Sequence, residues 1–200
     1  MIETLALVSW ETAWPYVLAT FFLAYLLGSI PFGLIFGWLA GAGDIRRIGS
    51  GNIGATNVLR TGKRWAAAST LFCDAAKGAA AVLLADHYLH IPFFRALAGL
   101  SAFLGHLYPI WLGFKGGKGV ATFIGVTAAL SLPVGLFTCA SWLATARAFR
   151  FSSLAALVAA AATPVFFLFL GTTLFALLTF ILAILIFVSH RANIARLLKG

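Results

Sequence analysis

The sequence predicts an all-α integral membrane protein of about seven transmembrane helices, on three grounds: hydrophobic composition, recurrent spans near 20 residues, and cations gathered on one side. Hydrophobic residues make up 62% of the chain and charged residues 10%. A soluble domain carries roughly 45–50% apolar and about 25% charged residues. Mean hydropathy is +1.02. No stretch of the 200 residues is polar enough for a separate soluble fold, so residues 1–200 read as one polytopic membrane domain.

Five spans are long enough for the roughly 20 residues that a crossing helix needs. They run from Trp14 to Trp38, Trp65 to Leu89, Phe94 to Phe114, Ser153 to Leu170 and Thr172 to Val188. Gly119 to Ser131 and Pro133 to Ala146 are apolar but shorter, and Pro133 marks the break between them. They read as two short helices. At 1.5 Å per residue the first of these reaches only about 20 Å into a hydrocarbon core roughly 30 Å thick. The preceding loop is therefore expected to dip inward, making Gly113 to Gly119 a candidate cavity wall.

Net charge is +9. With seven spans in place, Arg46, Arg47, Arg60, Lys63, Arg64, Lys115, Lys118, Arg147, Arg150, Arg191, Arg196 and Lys199 fall on one side. That side is expected to be cytoplasmic, with the N-terminus outside and the C-terminus inside. The opposite side holds Arg95 with Glu3, Glu11, Asp86, His87 and His90. Glu3 and Glu11, without a Lys or Arg in the first fifteen residues, argue against a cleavable signal. Cys73 and Cys139 lack CxxC or Cys/His spacing, so they read as buried thiols rather than a disulfide or metal pair. No metal, cofactor or nucleic-acid partner is expected, and nothing in the sequence sets an oligomeric state.

Three segments carry polar chemistry. The first, Gly49 to Arg60, gathers Gly49, Gly51 and Gly54 with Ser50, Asn52, Thr56, Asn57 and Arg60. Glycines let main-chain N–H groups converge on phosphate oxygens, hydroxyls and amides add neutral donors, and Arg60 offers a bidentate charge. The same stretch matches GxGxxG, but Asp74, the acid at the expected distance, lies in an apolar helix instead of a second strand. A dinucleotide site is excluded on that ground.

The second segment runs from Gly105 and His106 to Lys115, Gly116, Gly117, Lys118 and Gly119. Lysines alternating with glycines at the head of a short helix attract phosphate. It is not a Walker A loop, because Gly119 stands where a Ser or Thr would hold magnesium. Lys118 is the candidate substrate contact, and His106 reads equally as a contact or a structural hydrogen bond. In the third segment His190, Asn193 and Arg196 recur at i, i+3 and share a helix face. Asp74 and Lys77, also i, i+3 and inside a span, are expected to pair and to support the structure first.

These residues resemble the bacterial acyl-phosphate:glycerol-3-phosphate acyltransferases, integral membrane enzymes of the first acylation step of phospholipid synthesis. The resemblance rests on GSGNIGATNVLR at Gly49 to Arg60, CDAAKG at Cys73 to Gly78, GHLYP and FKGGKG between Gly105 and Gly119, and HRANIARLLKG at the end. It implies seven helices with the N-terminus outside, a bacterial inner membrane location and an active site facing the cytoplasm. It further implies that Ser50, Asn52, Thr56 and Asn57, with Arg60, serve the phosphates, that Lys118 grips substrate phosphate, and that His190 and Asn193 contact glycerol phosphate. Ser153 matches a family serine. Family members usually continue past the terminal glycine with an acidic residue, whereas this chain stops at Gly200.

The implied reaction transfers an acyl group from acyl phosphate to the sn-1 hydroxyl of glycerol 3-phosphate, giving lysophosphatidic acid and phosphate. Soluble-type glycerolipid acyltransferases use His-x-x-x-x-Asp, and no histidine here has an Asp five residues on. The expected alternative is that the departing phosphate takes the hydroxyl proton while Arg60, Lys118 and main-chain amides stabilise its charge. A competing enzyme reading makes Ser50 an acylated nucleophile. From another functional class, a membrane anion or phosphate transporter would place polar groups in both halves of a repeat. No repeat is visible.

Overall fold

The structure is a computed structural model and describes residues 10–199; Glu3, Gly200 and the side chain of Glu11 lie outside what it describes. Its regular elements are all helical: α1 (Trp10–Gly28), α2 (Phe32–Leu39), α3 (Ala55–Leu59), α4 (Arg64–Leu89), α5 (Pro92–Leu107), α6 (Val120–Leu130), α7 (Leu132–Phe149), α8 (Ser152–Phe169), α9 (Thr173–Ser189) and α10 (Arg191–Leu197). Large apolar side chains such as Leu23, Phe72 and Phe169 stay exposed on the outside of the bundle. That is the surface a bilayer requires. Thr12–Leu39, Arg64–Leu89 and Ser152–Phe169 are long and apolar enough to cross a membrane, and α9 with α10 adds a fourth if the bent pair counts as one span.

Three helix limits differ from the sequence expectation. The first span is broken between α1 and α2, where Pro31 supplies no N–H to continue the helix. The third ends at Leu107 instead of Phe114, because Pro109 forces Tyr108 out of the helical region and a single turn at Ile110–Leu112 follows. The fifth is not short: α7 has 18 residues, since Pro133 sits at its first turn, where a missing N–H costs nothing. Of the two spans expected to be short, only α6, with 11 residues, is.

Packing follows the small-residue logic of membrane helices, in which close backbone approach replaces hydrophobic drive. A Cβ on Gly28 would lie 2.0 Å from the Ala102 carbonyl oxygen, and one on Gly105 would lie 2.2 Å from that of Tyr25. Glycine is therefore required on both sides of the α1–α5 contact. Across α7 and α8 the Thr138 and Thr163 hydroxyls meet at 2.8 Å and the rings of Phe137 and Phe166 stack at 3.9 Å. The central core joins Val82, Phe103, Phe123, Phe167, Leu182 and Ile186.

The break after α1 is tied to other elements. The Lys77 ammonium donates to the freed Ile30 carbonyl at 2.8 Å, and the Trp111 indole N–H donates to the Ser29 hydroxyl at 2.7 Å. Tyr25 donates its hydroxyl proton to the Tyr108 carbonyl at 2.6 Å. The helix break and the loop after α5 thus fix each other.

Candidate active site

The three polar segments open onto one cavity of about 240 Å³. Ser50, Asn52, Thr56 and Arg60 reach it from the first, Lys118 and Gly119 from the second, and His190 and Asn193 from the third. Gly54, Asn57, His106 and Ser153 also line it. Gly49, Gly51, Lys115, Gly116, Gly117 and Arg196 are not among its lining residues. Gly49 and Gly51 turn the chain with φ of 57° and 69°, a conformation that favours glycine. Gly116 and Gly117 lie behind Lys118, their N–H groups bonded to the carbonyls of Leu107 and His106 at 3.0 Å each. Lys115 and Arg196 are exposed nearby.

The first segment is held by its own amide. Asn57, 2% exposed, donates to the Ile45 carbonyl at 2.8 Å and accepts from the Ser50 N–H at 3.1 Å and the Ser50 hydroxyl at 3.3 Å. Its side chain is therefore occupied in bracing the loop. Asp44, which composition did not single out, caps the single turn at Ile45–Arg47, where a hydrogen bond from Arg46 holds its carboxyl down to about 2.

Lys118 and Asn193 join the other two segments, the ammonium donating to the Asn193 amide oxygen. Burial pushes the Lys118 pKa down from its ordinary value, and the positive charges of Arg196 and Arg60 push the same way. Among the described residues no carboxylate is paired with any of these three cations. Cations gathered without a counter-ion suit an anionic ligand.

His190 does not continue one helix with Asn193. It occupies the joint between α9 and α10, which are bent 65° from each other. There its Nδ1 lies 2.9 Å from the Ile186 carbonyl. Burial lowers the His190 pKa, the Ile186 carbonyl opposes this, and the Lys118 charge lowers it further. A neutral ring donating from Nδ1 leaves Nε2 as an acceptor for a hydroxyl.

Sequence reasoning did not find the cavity's apolar arm. Leu71, Ile124, Cys139, Trp142 and Leu143 line it from α4, α6 and α7, and Leu71 and Leu143 are also exposed on the bundle surface. Cys73 and Cys139 are only half-buried, against the expectation of buried thiols, because an apolar face in a bilayer need not turn inward. Asp74 and His106 also line the cavity. A cavity lined by cations on one part and apolar side chains on another suits a ligand with an anionic head and a hydrocarbon tail.

A profile of the family described as glycerol-3-phosphate acyltransferase matches residues 18–200. This chain belongs to the glycerol-3-phosphate acyltransferase family. It is 58% identical over 176 residues to the glycerol-3-phosphate acyltransferase of Mesorhizobium japonicum (strain LMG 29417 / CECT 9101 / MAFF 303099), covering 88% of this chain and 89% of the relative. It also resembles the crystal structure of PlsY (YgiH), an integral membrane glycerol 3-phosphate acyltransferase, in its glycerol 3-phosphate form. There the TM-score is 0.88 and identity 40%, with 92% of this chain and 93% of that chain covered. The lysophosphatidic acid form of PlsY gives a TM-score of 0.86 and 39% identity, with the same coverage of 92% and 93%. The protein is an integral membrane acyltransferase of phospholipid synthesis, and the transporter reading falls away.

Proposed function

We propose that this acyltransferase moves an acyl chain from acyl phosphate to the sn-1 hydroxyl of glycerol 3-phosphate, releasing lysophosphatidic acid and phosphate. The observation that carries this reading is the convergence of Arg60, Lys118, His190 and Asn193 on one cavity with an apolar arm. The relatives' names and the two PlsY forms support glycerol 3-phosphate as acceptor and lysophosphatidic acid as product. In this reading Arg60 and Lys118 hold the phosphates, Ser50, Asn52 and Thr56 add neutral donors, and Gly49, Gly51, Gly54, Gly116 and Gly117 shape the loops around them. Asn57 braces the first loop, and Lys115 and Arg196 add field from the rim. His190 and Asn193 orient glycerol 3-phosphate, and Ser153 lines the wall. No cofactor or metal takes part.

Acyl phosphate is already activated, so catalysis needs alignment and charge stabilisation. The acceptor oxygen bonds to the acyl carbon, the carbon–oxygen bond to phosphate breaks, and the hydroxyl proton passes to the departing phosphate. Ser50 as a nucleophile is disfavoured because the Asn57 amide oxygen that accepts its hydrogen bond is not a base. Purified protein in detergent, given acyl phosphate and glycerol 3-phosphate, should form lysophosphatidic acid. Equal use of acyl-CoA would overturn the donor, and a trapped acyl-Ser50 would overturn the direct transfer.

The reading includes one domain over residues 1–200, seven crossings with the N-terminus outside, and a site facing the cytoplasm of a bacterial inner membrane. Charge segregation supports it. With Cys73 and Cys139 replaced by serine, a Lys199→Cys variant should react with an impermeant maleimide only in inverted vesicles. Reaction in right-side-out vesicles would reverse the orientation.

A further inference from the structure

On the wall of the same cavity lies a buried polar cluster whose reach extends to Lys118. Lys77 and Asp74, each 3% exposed, pair at 2.7 Å one turn apart on α4. The Lys77 ammonium also holds the Ile30 carbonyl of the broken first span at 2.8 Å, so this cation is occupied on two sides. On the other side of Asp74 stands His106 of α5, 4% exposed, its Nδ1 3.6 Å from the carboxylate. That nitrogen has no hydrogen-bond partner among the described residues, and the Asp74 carboxylate is the charged group that faces it. A buried carboxylate at this distance favours a ring with its Nδ1 edge turned toward it.

The opposite edge of the ring meets the second segment. A Cβ on Gly117 would lie 2.1 Å from His106 Nε2, so the imidazole and the Gly117 backbone are in direct contact. The Gly117 N–H bonds to the His106 carbonyl at 3.0 Å, pinning the same residue at its main chain. Lys118 is the next residue, and the Ser189 hydroxyl grips its carbonyl at 3.3 Å. A lysine on a glycine-flanked segment has many accessible directions. Here the backbone before it is held by the Leu107 and His106 carbonyls and packed at Gly117 against the His106 ring.

We propose that Asp74 and His106 are positioning residues: the carboxylate orients the imidazole, and the imidazole is the stop against which the Gly117 backbone seats, aiming Lys118 at the substrate phosphate. The inference rests on the reading of Lys118 as a phosphate contact and adds residues that act only through it. The cluster also joins the helix break to the site, since Ile30, Lys77, Asp74, His106 and Gly117 touch in series.

The test measures kcat/KM for glycerol 3-phosphate on the full-length enzyme in detergent, with thermal unfolding as a folding control. His106→Ala should lose about tenfold or more, and His106→Gln, whose amide nitrogen falls near the Nε2 position, should return to within about threefold of wild type. Gly117→Ala should also lose about tenfold or more, but it should add less than about twofold in the His106→Ala background, where the new methyl fits the vacated space. Equal losses for Ala and Gln at position 106, or multiplicative losses at 106 and 117, would overturn the positioning role. If His106→Ala does not fold, His106→Gln and Gly117→Ala carry the test, through retained activity in the first and loss with an unchanged unfolding midpoint in the second. Lys118→Ala separates the two levels. Activity within about threefold of wild type there defeats the phosphate-contact reading itself, whereas a severe loss there with independent effects at 106 and 117 defeats only the positioning.

Discussion

Arg95 at one end of the bundle and the cations around the cavity at the other are treated in opposite ways, although Arg46 beside the first loop is paired with Asp44. At the end opposite the motifs, Arg95 is paired with Asp86 at 3.4 Å and its guanidinium lies 5.2 Å over the Phe175 ring. At the motif-bearing end Arg60, Lys118 and Arg196 crowd together with no carboxylate among the described residues to neutralise them. A paired cation has its electrostatic needs met within the chain. Lys118, half-buried and unpaired beside the exposed Arg60 and Arg196, is costly unless something anionic arrives, so the contrast marks a charge that the fold alone does not use.

The contrast is tested most severely by Lys118→Ala. Removal of a desolvated phosphate contact should cost about 2–5 kcal/mol in kcat/KM by analogy with buried charge pairs. A loss below roughly 0.7 kcal/mol would erase the distinction between the two ends. Next, Gly105→Val in the α1–α5 contact should destabilise by about 1–3 kcal/mol through overpacking, read as a lower unfolding midpoint. Unchanged stability would mean that the helices separate more readily than the 2.2 Å approach implies.

His190→Ala should cost about 0.5–1.5 kcal/mol, the range of a hydrogen bond between neutral groups, seen chiefly as a higher KM for glycerol 3-phosphate. An unchanged KM would remove His190 from the acceptor site. The pH profile sharpens the same point. His190 has a lowered pKa, so protonation removes its Nε2 acceptor only on the acid side, below the usual histidine value of about 6.5. Lys118 is also lowered, so its charge is lost as pH rises, at a value below the usual lysine value of about 10.4. A bound dianionic phosphate favours the ammonium, and the alkaline limb of kcat should lie above that of kcat/KM. Coincident alkaline limbs would show that Lys118 does not meet the phosphate. The smallest effect belongs to Arg95→Gln, which should change stability by less than about 1 kcal/mol and leave the kinetics alone. A kinetic defect there would break the comparison from the other side.

Much of this was legible in the chain itself. Apolar length located the helices from Arg64 to Leu89 and from Thr173 to Ser189 to within a residue or so, because a bilayer imposes length directly on composition. Density of Gly, Asn and Ser beside Arg60 marked the first loop as a candidate site, and Ser50, Asn52, Thr56 and Arg60 do line the cavity. Leu107, where α5 stops, was less legible: the apolar residues up to Phe114 continue the hydropathy signal although Pro109 has ended the helix. The length of α7 was missed for a related reason, since a proline in the first turn starts a helix as readily as it breaks one.

By itself, then, the sequence determined the class of protein, the helical spans and the three segments able to meet phosphate, because each depends on local composition. Only the tertiary structure decided that these segments share one cavity, that Asn57 spends its amide on the loop, and that His106 faces Asp74 on one edge and Gly117 on the other. Those facts depend on which helices pack side by side. That is set by close glycine contacts such as Gly28 on Ala102, whose partners lie far apart along the chain and leave no periodic trace in it.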